Sequence, residues 1–241
     1  MHTVSRTILV TGASSGIGRA TARRLLALGH YVIGSARDCR CFTTEHPRFS
    51  GYTLDFSKPD SIPQLARRLQ QAYPALDMVV FSAGYGQFGS LEEFSFDQIE
   101  RLMMVNFTGQ ALLTRALLPE LKRQERCNLV YIGSEAALQG SRKGSIYCAS
   151  KFALRGFTQG LRDECGNSRV RVSLVNPGMV QTPFFDDLSF MPGEGQGQVL
   201  QADDVADAVT YILEAATHMV VDEINLSPAN KVIKFKTKGR Q

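Results

Sequence analysis

The sequence lacks several patterns that would assign it to other classes of protein. Its four histidines and five cysteines have neither the spacing of zinc ligands nor that of a C-x-x-C redox pair. No apolar run approaches the length of a membrane span, and Met1–Arg6 is too short and polar for a signal peptide. We therefore expect no metal, no membrane partner and reduced thiols in a cytoplasmic protein.

An excess of charge of one sign is also missing. Lys and Arg number 27 and Asp and Glu 23, a net charge of +4, whereas a nucleic-acid-binding protein would concentrate positive charge on one face. Only Lys231–Arg240 is basic, with Lys234, Lys236 and Lys238 at alternate positions. We interpret this tail as a solvated edge strand whose lysines prevent pairing. Binding of nucleic acid or a membrane surface through the tail is the alternative.

What the chain does contain is an alternation of short apolar runs and amphipathic segments. Its 241 residues are 44% apolar, which suits one α/β domain over residues 1–241. Continuous apolar strands are typical of a parallel sheet covered on both faces, so we predict a Rossmann-like, doubly wound parallel sheet of about seven strands. The predicted strands are Thr7–Thr11, Tyr31–Ser35, Gly51–Leu54, Asp77–Ser82, Cys127–Gly133, Val170–Asn176 and Met219–Leu226. The predicted helices are Ile17–Leu28, Ser61–Tyr73, Ser95–Leu121, Tyr147–Cys165 and Ala202–Ala215.

The segment 183–200 has an unusual composition, rich in Gly, Phe and Asp. It follows the sixth predicted strand, where a segment that covers a ligand could lie, and we predict a substrate-covering loop. Its large apolar residues could line an apolar pocket or could simply pack within the loop itself. They are Phe184, Phe185, Leu188, Phe190 and Met191.

A glycine-rich turn joins the first predicted strand to the first helix. Gly12, Gly16 and Gly18 would allow a sharp turn and a close approach of the backbone to a ligand. The start of the helix offers free N–H groups and a positive dipole end to a pyrophosphate. The spacing G-x-x-x-G-x-G differs from the G-x-G-x-x-G of other dinucleotide-binding folds. Taken alone, the turn could equally be a plain connection.

The turn resembles the T-G-x-x-x-G-x-G signature of the short-chain dehydrogenase/reductase family, and Asn106, Ser134, Tyr147 and Lys151 follow it in the order of that family's catalytic set. The resemblance implies an NADP(H)-dependent oxidoreductase that moves a hydride between nicotinamide and a carbonyl or alcohol. Tyr147 would be the acid/base, Ser134 would orient the carbonyl, and Asn106 would hold a water of a proton relay. Lys151 would hold the nicotinamide ribose.

Tyr147 and Lys151 are four residues apart on one predicted helix and therefore share a face. An unperturbed phenol has a pKa of about 10, and a nearby ammonium favours the phenolate. We therefore expect Lys151 to lower the pKa of Tyr147 toward the range in which proton transfer is reversible.

The resemblance also implies a set of cofactor-binding residues. Among them, Gly12, Gly16 and Gly18 would border the pyrophosphate, Asp55 would accept from the adenine amino group and Thr182 would meet the carboxamide. The full set is Gly12, Ser14, Ser15, Gly16, Ile17, Gly18, Arg37, Asp55, Ala83, Gly84, Asn106, Tyr147, Lys151, Pro177, Gly178, Val180 and Thr182. Ser82 replaces the asparagine of the family's Asn-Ala-Gly, which leaves the usual bracing of the central sheet in question.

The end of the second predicted strand favours NADP. An acid there accepts hydrogen bonds from the adenosine ribose in NAD-specific proteins, and Ala36 occupies its place. Arg37 follows and can donate paired hydrogen bonds to a 2′-phosphate. Asp38 would be the acid if the alignment is off by two residues. Ser15 stands where many NADP-preferring members carry a second basic residue, so the preference could be modest.

The substrate and the assembly are less constrained. We expect a small or medium carbonyl compound, with a 3-hydroxy acid as the alternative, and Arg142 and Lys143 could meet its carboxylate or lie in a solvated loop. The resemblance implies a homodimer or homotetramer packed through Ser95–Leu121 and Tyr147–Cys165. A non-catalytic NADP sensor is the non-enzyme alternative, and the presence of both Tyr147 and Lys151 argues against it.

Overall fold

Seven strands form one parallel sheet in a computed structural model, which describes residues 5–38 and 46–236. They are β1 (Thr7–Thr11), β2 (Tyr31–Ala36), β3 (Phe49–Thr53), β4 (Leu76–Phe81), β5 (Cys127–Ile132), β6 (Val170–Pro177) and β10 (Glu223–Leu226). The strand order is β3-β2-β1-β4-β5-β6-β10. The predicted Rossmann-like, doubly wound sheet is therefore confirmed, although the last strand is shorter than the predicted Met219–Leu226.

The centre of the sheet contains the point where the chain reverses its direction of winding. β1 pairs with β2 on one side and with β4 on the other, and Thr11 lies level with both Ser35 and Phe81. In open α/β sheets, ligands bind in the crevice outside the carboxyl ends of the strands at such a point. The fold therefore places a ligand site directly after Thr11.

Helices cover both faces of the sheet. They are α1 (Gly16–Ala27), α2 (Ile62–Ala72), α3 (Phe96–Met103), α4 (Gly109–Leu121), α5 (Ser145–Glu164) and α6 (Ala202–Glu214). Residues of α1 and α6 share one apolar core with one face of the sheet. Residues of α2, α4 and α5 form a second core on the other face, where Tyr131 stacks on Phe81 with 4.4 Å between ring centroids.

The predicted helix Ser95–Leu121 is interrupted. A single π-helical stretch, Met104–Thr108, separates α3 from α4. Within it, Asn106 exposes its backbone carbonyl to the Gln110 amide, which donates to it over 3.0 Å and to the Ala83 carbonyl over 2.9 Å. Such π-bulges interrupt α-helices frequently at functional sites. Here the contact with Ala83 is tertiary, so the helical periodicity of the sequence does not reveal the interruption.

The segment 183–200 and the C-terminal tail pair with other parts of the chain. Short strands β7 (Val180–Gln181) and β9 (Leu200–Gln201) are parallel, and β8 (Phe190–Pro192) is antiparallel to β11 (Ile233–Phe235). Residues 233–235 form an exposed edge strand, as predicted. The prediction that its lysines prevent pairing is wrong, since the strand pairs with β8 along one side. Lys238 lies outside the described residues.

Within residues 5–38 and 46–236, no helix is both long and apolar enough to cross a membrane. No group of three or more His, Cys, Asp or Glu side chains in that part of the chain could hold a metal ion. Cys127, Cys148 and Cys165 are free thiols, and Cys39 and Cys41 lie outside the described residues.

Candidate active site

A cavity of about 1120 Å³ opens at the carboxyl ends of the central strands. The residues that line it come from the ends of β4, β5 and β6, from the start of α5, and from the covering segment and the tail. Nine of the residues predicted for the site lie on its wall: Ile17, Gly84, Ser134, Tyr147, Lys151, Pro177, Gly178, Val180 and Thr182.

The glycine turn lies at one end of this region, and its shape requires glycine. Gly12 and Gly16 have φ angles of +68° and +49°, which side-chain-bearing residues rarely adopt. A Cβ on Gly12 would lie 2.8 Å from the Ala83 Cα, and one on Gly16 would lie 3.2 Å from the Thr182 Cβ. The N-cap residue of α1, Ser15, makes no side-chain hydrogen bond to the helix. The turn thus leaves backbone N–H groups for an anion.

The sheet is braced at this point without the family's asparagine. The Thr11 Oγ1 accepts hydrogen bonds from the N–H groups of Ser82, over 3.1 Å, and of Ala83, over 3.2 Å. The Gln110 side chain holds the Ala83 carbonyl. These contacts tie β4 to β1 and to α4. The central sheet is therefore braced at this point even though Ser82 replaces the asparagine.

Tyr147 lies at the start of α5 between two phenylalanines. Its ring centroid is 5.0 Å from that of Phe88 and 5.9 Å from that of Phe184, and the residue is only 6% exposed. Burial raises the pKa of Tyr147 to about 12, although a side-chain hydrogen bond with Ser134 opposes the rise. This direction is opposite to the expected one, because the loss of hydration penalises the phenolate more than its surroundings stabilise it.

Lys151 lies one turn further along α5 and is also buried. Its Nζ donates to the Ile132 carbonyl over 3.1 Å and lies 5.9 Å from the centroid of the Tyr147 ring. Burial lowers the pKa of Lys151 to about 8. A ligand hydroxyl that accepts a hydrogen bond from the ammonium would therefore stabilise its charged form, because it would replace the hydration that Lys151 has lost on burial.

Ser134 lies two residues beyond the end of β5. Its N–H donates to the Asn176 Oδ1 over 3.3 Å, and its Oγ accepts from the Ala136 N–H over 3.1 Å. The Asn176 amide in turn donates to Glu223 over 2.6 Å and to Asn225 over 3.0 Å. Side chains of β6 and β10 thus hold the backbone that presents the Ser134 hydroxyl to Tyr147.

Asn106 is fully buried behind the wall of the cavity. Its Oδ1 accepts from the Tyr85 N–H over 3.0 Å, and its Nδ2 donates to the Tyr85 carbonyl over 3.0 Å and to the Ser150 Oγ over 3.2 Å. Both amide hydrogens are therefore used. A Cβ on Gly84 would lie 3.2 Å from the Asn106 Oδ1 and 3.8 Å from the Lys151 Nζ, so these two polar atoms border the same small space.

The residues predicted to meet the adenosine half lie at the ends of β2 and β3. β2 ends at Ala36, which is 7% exposed, and Arg37 follows on the surface. Burial raises the pKa of Asp55, but hydrogen bonds from the Ser57 hydroxyl and N–H, together with nearby positive charge, hold it below its usual value. The Ser57 hydroxyl donates to the Asp55 Oδ1 over 2.7 Å, and the Ser57 N–H donates to the same oxygen over 3.0 Å. Asp55 is therefore a carboxylate that can accept a further hydrogen bond.

Several residues at the site escaped the sequence analysis. Arg19 donates to the Ser14 carbonyl within the glycine turn, and it follows the glycine signature by one residue. Phe88 contacts Tyr147 from a loop with no recognisable pattern. Ile233 and Phe235 line the cavity, and their alternation with lysines was the signal that could have indicated a strand with one apolar face.

The chain is similar to known proteins in sequence and in fold. A family model described as short chain dehydrogenase matches residues 6–191. A sepiapterin reductase of Chlorobaculum tepidum is 30% identical over 92% of this chain and 96% of its own length. An uncharacterised oxidoreductase of Staphylococcus saprophyticus is 29% identical over 91% of this chain and 96% of its own. An alcohol dehydrogenase from Thermococcus sibiricus, solved with 5-hydroxy-NADP, superposes with a TM-score of 0.83 at 27% identity, covering 94% of this chain and 97% of its own.

Proposed function

The chain belongs to the short-chain dehydrogenase/reductase family of oxidoreductases, and on that premise we propose that it uses NADP(H) to move a hydride between nicotinamide and a carbonyl or alcohol. One observation carries the proposal. Ser134, Tyr147 and Lys151 line the same cavity as Pro177, Gly178 and Thr182, and Thr182 also packs against the glycine turn.

The residues present fit a dinucleotide. The close approach of Gly12 to Ala83 and of Gly16 to Thr182 leaves no room for side chains, which is the shape that a pyrophosphate needs at a helix N-terminus. We assign the whole predicted set to the cofactor: Gly12, Ser14, Ser15, Gly16, Ile17, Gly18, Arg37, Asp55, Ala83, Gly84, Asn106, Tyr147, Lys151, Pro177, Gly178, Val180 and Thr182. When bound, the nicotinamide would supply or accept the hydride.

The chain's own side chains would handle the proton and the oxygen. Ser134 would donate a hydrogen bond to the carbonyl oxygen and hold it beside Tyr147. The phenol, kept protonated by its buried position, would give its proton to that oxygen as negative charge develops. Lys151 would bind the nicotinamide ribose hydroxyls and stabilise the phenolate left behind. Asn106 would keep Lys151 connected to a proton relay, where its Oδ1 can accept a hydrogen from a water.

A substrate panel tests the proposal directly. Aldehydes, ketones, quinones and hydroxy acids would be incubated with NADPH, or with NADP+ for the alcohols, and the absorbance of NADPH followed. Turnover of at least one carbonyl compound is expected. A cofactor that binds while no compound of the panel reacts would instead favour an NADP-sensing regulator.

We propose a preference for NADP over NAD on account of Arg37. Ala36 presents no carboxylate at the end of β2, and the exposed Arg37 guanidinium can donate to a 2′-phosphate. The 5-hydroxy-NADP bound to the alcohol dehydrogenase from T. sibiricus supports this choice. Arg37→Ala is expected to lower kcat/KM for NADPH by about tenfold, the effect of one charge-assisted hydrogen bond, and to leave that for NADH unchanged.

Both efficiencies would be measured in Arg37→Ala and in Arg23→Ala, a control that removes an exposed guanidinium from α1. The control should keep the wild-type ratio. An unchanged ratio in Arg37→Ala, or a wild type that prefers NADH, would show that the assignment of Arg37 is incorrect.

A 3-hydroxy acid is a second candidate substrate, and one observation favours it. Arg142 and Lys143 line the cavity with exposed side chains, and Lys143 has a φ angle of +61°, a strained backbone conformation of the kind found at ligand sites. Loss of turnover of acidic substrates in Arg142→Ala, with neutral carbonyl compounds unaffected, would establish this alternative.

We also propose a homodimer or homotetramer in which α4 and α5 pack against a second copy. Leu113 and Leu117 of α4 are buried in the core. Leu112 of α4 and Phe152 of α5, in contrast, are 37% and 43% exposed. Light scattering should give a multiple of 26.6 kDa, and Leu112→Arg should lower that mass while the thermal unfolding transition persists. A wild-type mass near 26.6 kDa would rule the assembly out.

The free thiols of Cys127, Cys148 and Cys165 support a reducing compartment. We propose a cytoplasmic location and small-molecule substrates, with no nucleic-acid or membrane partner.

A further inference from the structure

We propose that the C-terminal strand β11 is the outer wall of the substrate pocket, and that Phe235 and Ile233 select ketones or aldehydes carrying an apolar group remote from the carbonyl. This inference rests on the proposed function, because it takes Tyr147 as the point at which the carbonyl oxygen is held. The sequence alone predicted a solvated tail. The fold brings two residues of that tail, Ile233 and Phe235, to the cavity, where they can select between substrates.

The pocket is aromatic from Tyr147 outward. Phe88 contacts Tyr147, and Phe190 contacts Phe88 edge-on with ring centroids 5.0 Å apart. Phe185 lies 6.0 Å from Phe190, and Phe184 lies 5.1 Å from Phe185. A substrate whose carbonyl reaches Tyr147 would therefore extend its other end over apolar rings, which gain free energy by excluding water from it.

β11 continues this wall beyond the covering segment. Phe235 pairs with Phe190 and Ile233 with Pro192 in the antiparallel ladder. Because side chains alternate along a strand, Ile233 and Phe235 share the face on which both line the cavity. They are 47% and 78% exposed. Large apolar side chains exposed together at the mouth of a cavity are the surface that an apolar ligand would cover.

The tail is held in place by polar contacts that leave this face apolar. The Lys236 Nζ donates to the carbonyls of Phe185 and Asp186 over 2.6 Å and 2.7 Å. Lys231, at the near end of the tail, is paired with Glu135 over 2.7 Å, so its charge is compensated where it borders the cavity. Lys234 lies between Ile233 and Phe235 and pairs with Glu194, which is outside the cavity wall.

Three ketones that differ only at the position remote from the carbonyl test the inference. They are cyclohexanone, 4-phenylcyclohexanone and 4-oxocyclohexanecarboxylate, titrated calorimetrically into the protein saturated with NADP+, which cannot reduce them. The phenyl ketone is expected to bind about tenfold more tightly than cyclohexanone, the effect of covering one apolar group. The carboxylate is expected to bind no more tightly than cyclohexanone.

Phe235→Ala should remove most of the advantage of the phenyl ketone and leave the dissociation constant of cyclohexanone unchanged. Ile233→Ala should reduce the advantage in part. Lys234→Ala is the matched control on the same strand and should keep the wild-type ratio. A ratio that survives Phe235→Ala, a ratio near one in the wild type, or tightest binding of the carboxylate would each overturn the inference.

Turnover of the same ketones with NADPH separates this inference from the proposed function. Binding that depends on Phe235 without any oxidation of NADPH would leave the pocket wall as described and contradict the proposed reduction. Reduction of both neutral ketones with equal kcat/KM would support the reduction and contradict the role of β11.

Discussion

Replacing Tyr147 with phenylalanine is expected to lower kcat by about three orders of magnitude, within the range that general acid catalysis contributes. The substitution removes one hydroxyl from a ring that stays packed between Phe88 and Phe184. NADPH binding, followed by the fluorescence of the nicotinamide, should therefore remain within a few-fold of the wild type. The effect falls on the chemical step, because only the proton donor to the developing oxyanion is lost.

Tyr85→Phe is the matched control. Tyr85 also lines the cavity, and its contacts with Asn106 are made by the backbone, so its hydroxyl can be removed without disturbing them. The control should keep kcat within a few-fold of the wild type. Substantial activity in Tyr147→Phe, or an equal loss in both variants, would mean that another group supplies the proton.

Replacing Lys151 with methionine is expected to damage catalysis and cofactor binding together. The variant loses both the donor proposed for the ribose hydroxyls and the charge that stabilises the Tyr147 phenolate, so kcat/KM should fall by about a hundredfold or more. The dissociation constant of NADPH should rise as well. Lys231→Ala, which removes another lysine side chain from the cavity wall, is the control and should change neither quantity by more than a few-fold.

The same variant has an effect on stability whose sign follows from burial. The pKa of Lys151 is about 8 in the folded protein, below its ordinary value of 10.5. Between these values the unfolded chain binds more protons, so the free energy of unfolding rises with pH across this window. Relative to Lys151→Met, the wild type should gain about 2 kcal/mol between about pH 7.5 and about pH 10. If the free energies of unfolding of the wild type and of Lys151→Met, measured by denaturant titration, changed in parallel with pH, the lowered pKa of Lys151 would be contradicted.

The agreement between sequence and structure is closest where the signal is local. The apolar run Thr7–Thr11 and the turn after it were predicted from adjacent residues, and the structure places them at the centre of the sheet. Tyr147 and Lys151 share a helix face because four residues make about one helical turn. Each inference needed only a few neighbouring positions and the geometry of the backbone.

The interruption at Met104–Thr108 shows where local reasoning fails. Residues 95–121 have continuous helical periodicity, but Gln110 reaches the carbonyl of Ala83, which follows a different strand. That partner comes from outside the helix, so no pattern within the helix could indicate it. The direction in which the pKa of Tyr147 shifts also depends on tertiary packing. The sequence shows a lysine near a tyrosine, but only the packed structure shows how far both are buried.

By itself, the sequence determined the fold class, the glycine turn and the order of the candidate catalytic residues, because strand and helix periodicity and turn chemistry are encoded by neighbouring residues. Only the tertiary structure decided that Ile233–Phe235 pairs with Phe190–Pro192 and borders the cavity. Strand pairing joins segments about forty residues apart, and its partner is chosen by which backbone groups the rest of the fold leaves unpaired. The physical reason is that a strand's pattern specifies its two faces but not its neighbour.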